Sequence, residues 1–171
     1  LGVARQAIAA LNALVDADVT ALLIGHSAGQ VATELQLPTA TLPYQATPAA
    51  MCRCYQAADV TLVTSEYETF GRVAAESQMC GVPVVSFATG GLAEVVRDHV
   101  TGRLVATGDW QGAARALREL REQPAMRQRL GEQGARDAQV RFHRDVICRE
   151  YVDLYRQVIR AGTEQACRRP E

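Results

Sequence analysis

Apolar positions along the 171-residue chain change period several times. Near the start, Val3, Ala7, Ile8, Leu11 and Leu14 recur at the spacing of one helical face. The run VTALLIG at 19–25 is short, apolar and closed by glycine, which predicts a buried strand. SAGQVATELQL reads as a short helix, and TATLPY at 39–44 as a second strand. Thr47 then offers an N-cap and Pro48 suits the first helical position, so TPAAMCRCYQAA opens a helix. DVTLVT at 59–64 predicts a third buried strand, followed by a helix over about 70–80. VPVVSFA is a fourth strand, with Pro83 tolerable at its start. GLAEVVRDH is a short helix, and TGRLVA a turn plus a fifth strand. Beyond it the pattern is helical only, in DWQGAARALRELREQ, PAMRQRLGEQGARDAQVR and RDVICREYVDLYRQVIR. The last of these carries an apolar stripe of Ile147, Tyr151, Leu154, Tyr155 and Val158.

Strands that alternate with helices predict an α/β fold with an open parallel, Rossmann-like sheet, here with a helical C-terminal extension. Residues 1–162 form the expected domain, helices included, and 163–171 a loose polar tail. Ligands of such sheets bind beyond the carboxyl ends of the strands. Residues 64–71 and 88–91 lie at that edge.

Composition narrows the partners. A hydrophobic content of 48% suits one compact domain with a real core. The formal net charge of -1 gives no electrostatic case for nucleic acid. All 18 basic residues are Arg, so any phosphate is held by Arg, backbone N–H groups or helix ends. Cys52, Cys54, Cys80, Cys148 and Cys167 lack the spacing of a zinc knuckle. With no visible leader, the odd count suggests reduced thiols in the cytoplasm. No apolar run reaches the ~18 residues of a membrane span. The chain starts inside a helical pattern without Met, so a piece of a longer protein is expected.

SEYETFGRVAAESQMCGVPVV, residues 65–85, holds two glutamates, Glu68 and Glu76. Glu68 falls in the loop after the third strand, and Phe70 and Gly71 open the helix. The first turn of a helix has unpaired N–H groups and partial positive charge, and can take a phosphate. Gly71 lets a ligand approach the backbone. Glu76 lies about five residues further on, roughly 7.5 Å along the axis. Ionised carboxylates accept hydroxyl protons, so vicinal diols suit them. A nucleotide sugar has diols at both ends and a diphosphate between. Two solvated surface carboxylates would show the same spacing.

The stretch, followed by ATGGLAEVVRDHVTGRLV, resembles the donor-binding core of retaining glycosyltransferases of the GT-B fold. That family's ordered pattern is Glu, seven residues, Glu with Phe-Gly after the first. A Gly-x-Pro-Val-Val strand, a Gly-Gly turn, a Glu-Val-Val helix and a Thr-Gly-x-Leu-Val strand then follow. YQAADVTLVTSEYE also resembles the segment leading into the motif, and the resemblance runs from the first helix to YVDLYRQVI. It implies that this is the C-terminal half of a GT-B fold, transferring a sugar from a nucleoside diphosphate with retained anomeric configuration. It implies that Glu68 holds donor-sugar hydroxyls and is the candidate catalytic residue. Thr69, Phe70 and Gly71 line the donor site, with Phe70 and Gly71 offering N–H groups to the sugar and distal phosphate. Arg72 and Val73 stand close behind. Glu76 would hold the ribose hydroxyls and Tyr44 lie near the base. Gly90 and Gly91 sit at the ligand edge, either as a tight turn or in contact. No cofactor and no metal are expected in the donor site, because the nucleotide sugar is a substrate.

The resemblance also implies parts not found in this sequence: an Arg/Lys phosphate clamp, a first strand, and an acceptor-binding N-terminal domain. The full-length protein is expected in the cytoplasm, with contact to the inner membrane surface open to it. SQMC replaces a more usual run of small residues, and Ser77 and Gln78 are polar enough for the solvent side of the helix. His26 reads as a loop residue near the ligand edge, His99 and His143 as surface residues, and Trp110 as packing at a helix start. The Arg-rich helices over 115–136 read as a solvated face. Rival readings are an epimerase or phosphorylase on the same fold, and a nucleotide-sugar-binding module without turnover.

Overall fold

The computed structural model describes residues 8, 11, 12 and 18–167, the last six of these by their backbone alone. Val3, Ala7 and Leu14 of the expected first helix lie outside the described residues, as do 168–171. Among the described residues the order is β1 (Ala21–Ile24), α1 (Ala28–Ala32), β2 (Thr39–Leu42), α2 (Pro48–Gln56) and β3 (Thr61–Val63). There follow α3 (Arg72–Met79), β4 (Val84–Phe87), α4 (Leu92–Val95) and β5 (Gly102–Val105). The helical extension is α5 (Trp110–Glu122), α6 (Pro124–Phe142) and α7 (Arg144–Cys167). All five expected strands are present.

Every ladder is parallel. β1 pairs with β2, and β3–β4–β5 form a second ladder with β4 central. No ladder joins β1 to β3 among the described residues. The two strands expected to be buried, β1 and β3, are not deeply so; full burial falls instead to β4, whose four residues are all buried. β1 is half-buried throughout and β3 mostly so. A parallel strand is buried when its faces and both neighbours are covered, and β1 and β3 each have one unpaired edge.

The period-2 alternation of β4 divides the core in two. Val84 packs with Val63, Ala74, Ala75, Leu92, Val95 and Val96 on the side of α3 and α4. Val85 and Phe87 pack with Trp110, Ala113, Ala116, Leu120 and Leu130 on the side of α5 and α6. Trp110 meets Phe87 edge-on at 4.7 Å, so it does pack at a helix start, where Asp109 caps α5 through Gly112 N–H.

Ser77 and Gln78 are not on a solvent side: both are wholly buried. α3 is covered by the sheet and also by α6, whose Gly131 and Gly134 allow close approach. A Cβ on Gly134 would stand 3.3 Å from Gln78 Cγ, and one on Gly131 would collide with Gly81 O at 2.2 Å. Ser77 Oγ and Gln78 Nε2 find partners that offset their burial, while Gln78 Oε1 has none among the described residues. Ser77 Oγ donates to Val82 O at 3.0 Å, and Gln78 Nε2 donates to Thr101 Oγ1 at 3.0 Å.

The helix expected to give way to a loose tail at 163 continues through Cys167. Gly162 costs only about 1 kcal/mol in a helix interior, and Glu164, Gln165 and Ala166 are good helix formers. The stripe on α7 is uncovered, with Tyr151, Leu154, Tyr155 and Val158 all at least half exposed. No described helix is long and apolar enough to cross a membrane.

Candidate functional site

The loop after β3 carries the chain from Val63 to the start of α3 at Arg72. Phe70 and Gly71 precede the helix instead of forming its first turn, and Gly71 is its N-cap. Gly71 has φ +92°, a left-handed backbone that favours glycine. Space demands it too, since a Cβ would come within 2.8 Å of Leu92 Cδ2. The N–H groups of the first turn have no intrahelical acceptor.

A second loop, 88–91, leaves β4 and is knitted to the first. Thr89 Oγ1 donates to Glu66 O at 2.8 Å, and Gly91 N–H donates to Glu68 O at 3.2 Å. The loops run so close that a Cβ on Gly90 would lie 1.8 Å from Glu68 O. A Cβ on Gly91 would lie 2.5 Å from Phe70 Cα and from Thr69 O. Gly90 and Gly91 are thus required by contact between the two ligand-edge loops, with Gly90 also at φ +46°.

Two recesses flank this junction. Glu68 and Thr69 line one of about 490 Å³, together with Tyr67, Thr89 and Gly90. Glu68 Oε1 accepts from its neighbour Thr69 N–H at 3.0 Å. The other, of about 660 Å³, is an apolar groove between α3 and α7 that includes Phe70, Arg72, Glu76, Phe142, Tyr151 and Leu154. Phe70 is half exposed and meets Phe142 edge-on at 5.5 Å, and Arg141 lies over the Phe142 ring. Val73 is also exposed, on the first turn of α3.

Glu76 is the fifth residue of α3 and is held from two sides. Tyr55 Oη donates to Oε2 at 3.0 Å, and Arg72 Nε lies 3.5 Å from Oε1 across one turn. Tyr55 is 6% exposed. Burial first, then the Glu76 charge and its hydrogen bond, raise the Tyr55 phenol well above its usual value. Neither Tyr55 nor Thr89 stood out in the sequence. The visible signal for Tyr55 was only its place in the helix leading to β3, in YQAADV.

Tyr44 is brought to neither recess. It follows β2, is 66% exposed, and stacks on His26 with ring centroids 5.8 Å apart. Both sit beyond the carboxyl ends of the β1–β2 ladder. His99 and His143 are surface residues, but their near neighbours are Asp98 and Asp145. The Arg-rich face is not wholly solvated: Arg127 pairs with Asp59 and donates to Leu120 O. No group of three or more His, Cys, Asp or Glu among the described residues could hold a metal ion.

The profile of the family described as Glycosyl transferases group 1 matches residues 4–137. D-inositol 3-phosphate glycosyltransferase of Thermomonospora curvata is 50% identical over 84 residues, 49% of this chain and 20% of that protein. The enzyme of that name from Xylanimonas cellulosilytica is 47% identical over 103 residues, 60% of this chain and 24% of that protein. Among solved structures, Alr3699/HepE of Anabaena in complex with UDP superposes with a TM-score of 0.79 at 26% identity, covering 90% of this chain and 44% of that one. The same protein in complex with UDP-glucose gives 0.77 at 26% identity, over the same shares of the two chains. The chain thus spans less than half of the solved structure and matches about a quarter or less of these curated relatives. With its parallel strands, flanking helices and long C-terminal helix in the GT-B arrangement, the chain belongs to the glycosyl transferases group 1 family.

Proposed function

We propose that this chain is the nucleotide-sugar-binding wall of a retaining glycosyltransferase, and that the acceptor is held by a further domain of a longer protein. One observation carries the reading. Glu68 lies in the loop before, and Glu76 on the second turn of, an eight-residue helix at the carboxyl edge of a parallel sheet. That arrangement offers hydroxyl acceptors on either side of a phosphate-binding helix end. It is supported by UDP and UDP-glucose in a 26% identical neighbour.

In this reading the diphosphate lies against the N–H groups of the first turn of α3, behind Phe70 and Gly71. These N–H groups and the helix dipole stabilise the charge that develops on the leaving diphosphate. Glu68, with Thr69, Thr89 and Gly90 around it, holds the donor sugar. Glu76, braced by Tyr55, holds the ribose. Tyr44 and His26 offer a stacked aromatic pair for the base. The donor site works without a metal. An acceptor aligned by a second wall supplies up to ~7–11 kcal/mol of the barrier, so transfer belongs to the complete protein.

The test is to incubate the full-length protein with a panel of nucleoside diphosphate sugars and acceptors, and to read the anomeric configuration by NMR. Retained configuration is expected. Glu68→Gln should depress turnover at least tenfold more than it weakens binding of the free nucleoside diphosphate. Inversion, epimerised or phosphorolysed donor, or no turnover with any acceptor would contradict the reading. Equal losses in turnover and nucleotide binding would move Glu68 to the nucleotide or the fold.

A further inference from the structure

Cys52 and Cys80 are 28 residues apart in sequence, yet Cys80 Sγ donates to Cys52 Sγ at 3.1 Å. Cys52 lies on α2 and Cys80 caps the C-terminus of α3. Two sulfurs in simple contact stand further apart than this, and a disulfide needs them at about 2.05 Å with Cβ atoms at about 3.5–4.5 Å. A shift of about 1 Å at one side chain closes that gap. The position permits it: Cys80 is followed by Gly81 at φ +80°, where the chain turns out of the helix. Both thiols are partly accessible, whereas Cys54 on the same helix is buried. Cys52 and Cys54, two residues apart on α2, cannot share a face, so only one of them meets Cys80.

We propose that Cys52 and Cys80 are a dithiol site that forms a reversible intramolecular disulfide, with a low-molecular-weight disulfide as the oxidant. The thiolate of Cys52 attacks one sulfur of the oxidant, forming a mixed disulfide and expelling one thiolate. Cys80 then loses its proton to solvent and attacks the Cys52 sulfur, forming the Cys52–Cys80 bond and expelling the second thiolate. The two released thiolates take up protons. The protein loses two electrons and two protons, and the oxidant becomes two thiols. The order follows from the surroundings. Burial first, and then the Cys52 contact, push the Cys80 thiol up to about 12, so it is the second to react. Capping Cys52 removes the part of that shift which Cys52 causes.

The bond would tie α2 to the end of α3, one turn beyond Glu76 and beside the Tyr55–Glu76 hydrogen bond that also links these helices. The site stands on its own geometry and does not depend on the proposed glycosyl transfer.

Peptide mapping of the full-length protein decides it. The protein is equilibrated in oxidised and reduced glutathione at several ratios, blocked with N-ethylmaleimide and digested with trypsin without reductant. Arg53 separates the two neighbours on α2, placing Cys52 in peptide 6–53 and Cys54 in 54–72, while Cys80 falls in 73–97. The expected product is 6–53 linked to 73–97, rising with the oxidised fraction and lost on adding dithiothreitol. The unfolding midpoint of the oxidised protein should rise and return on reduction, and Cys54→Ala should leave the linked peptide intact. Cys52 and Cys80 both blocked in fully oxidised glutathione would overturn the proposal. So would a dominant link from Cys80 to Cys54, or to another molecule.

Discussion

Glu76 illustrates how much of a site depends on a residue that is not itself a candidate. Its carboxylate is part-exposed, yet Tyr55, from a different helix, fixes one of its oxygens. The phenol holds its proton more tightly in the folded state than in the unfolded chain, where the usual value is 10.0. Its contribution is therefore complete below about pH 10 and is lost as pH rises toward the raised value. Cys80 adds a similar alkaline loss, beginning near its usual 9.0 and ending near 12. Tyr55→Phe should lower stability by about 1 kcal/mol near neutral pH, less than a fully buried charged hydrogen bond, because Glu76 keeps water and Arg72. It should also flatten the fall in stability between about pH 10 and 11 relative to the parent, leaving the Cys80 share. Urea unfolding across that range measures both. An unchanged pH slope would mean that the phenol titrates normally. Glu68, Phe70, Gly71 and Glu76 could be proposed from the sequence because they lie in one local stretch whose ordered motif resembles the family's. Tyr55 and Thr89 act through contacts made by chain segments 21 residues apart or more, and no local period encodes those.

At the scale of elements, the two loops at the carboxyl edge depend on glycine where backbone meets backbone. Gly90→Ala meets two penalties. The left-handed backbone costs a non-glycine residue about 1–2 kcal/mol. The new Cβ also collides with Glu68 O, which is main chain and yields only if the 68–70 loop moves. Chemical denaturation should show a loss of about 2 kcal/mol or more. Nucleotide-sugar binding should weaken beyond what stability explains, because Glu68 moves with its own carbonyl. Parent-like stability and binding would show that the loops are not held together there. The strands and Thr47 cap were legible because local period and end chemistry specify them; Thr47 Oγ1 does accept from Ala50 N–H. The burial of Ser77 and Gln78 was not, since Ser77 is buried against Thr61 of β3 and Gln78 against Thr101 and α6, contacts from distant parts of the chain. The extent of α7 was also misread, because a single glycine is a weak stop without a following proline or a capping contact.

Across the whole molecule, the parts that lack partners fall together into one picture. Among the described residues β1 and β3 each keep an unpaired edge. The apolar stripe of α7 is uncovered, and the chain spans 44% of the solved neighbour. These features are compatible with the proposed reading of this chain as one wall of a cleft. In the proposed reading a nucleotide sugar lies across the start of α3 with its ribose on Glu76. Calorimetric titration of the full-length protein with UDP and with UDP-glucose, parent against Glu76→Ala, tests it most directly. Loss of charge-assisted hydrogen bonds of about 1.5–3 kcal/mol should weaken both ligands roughly 10- to 150-fold. Unchanged affinity of the variant for ligands that the parent binds would take Glu76 out of the site and the ribose off α3.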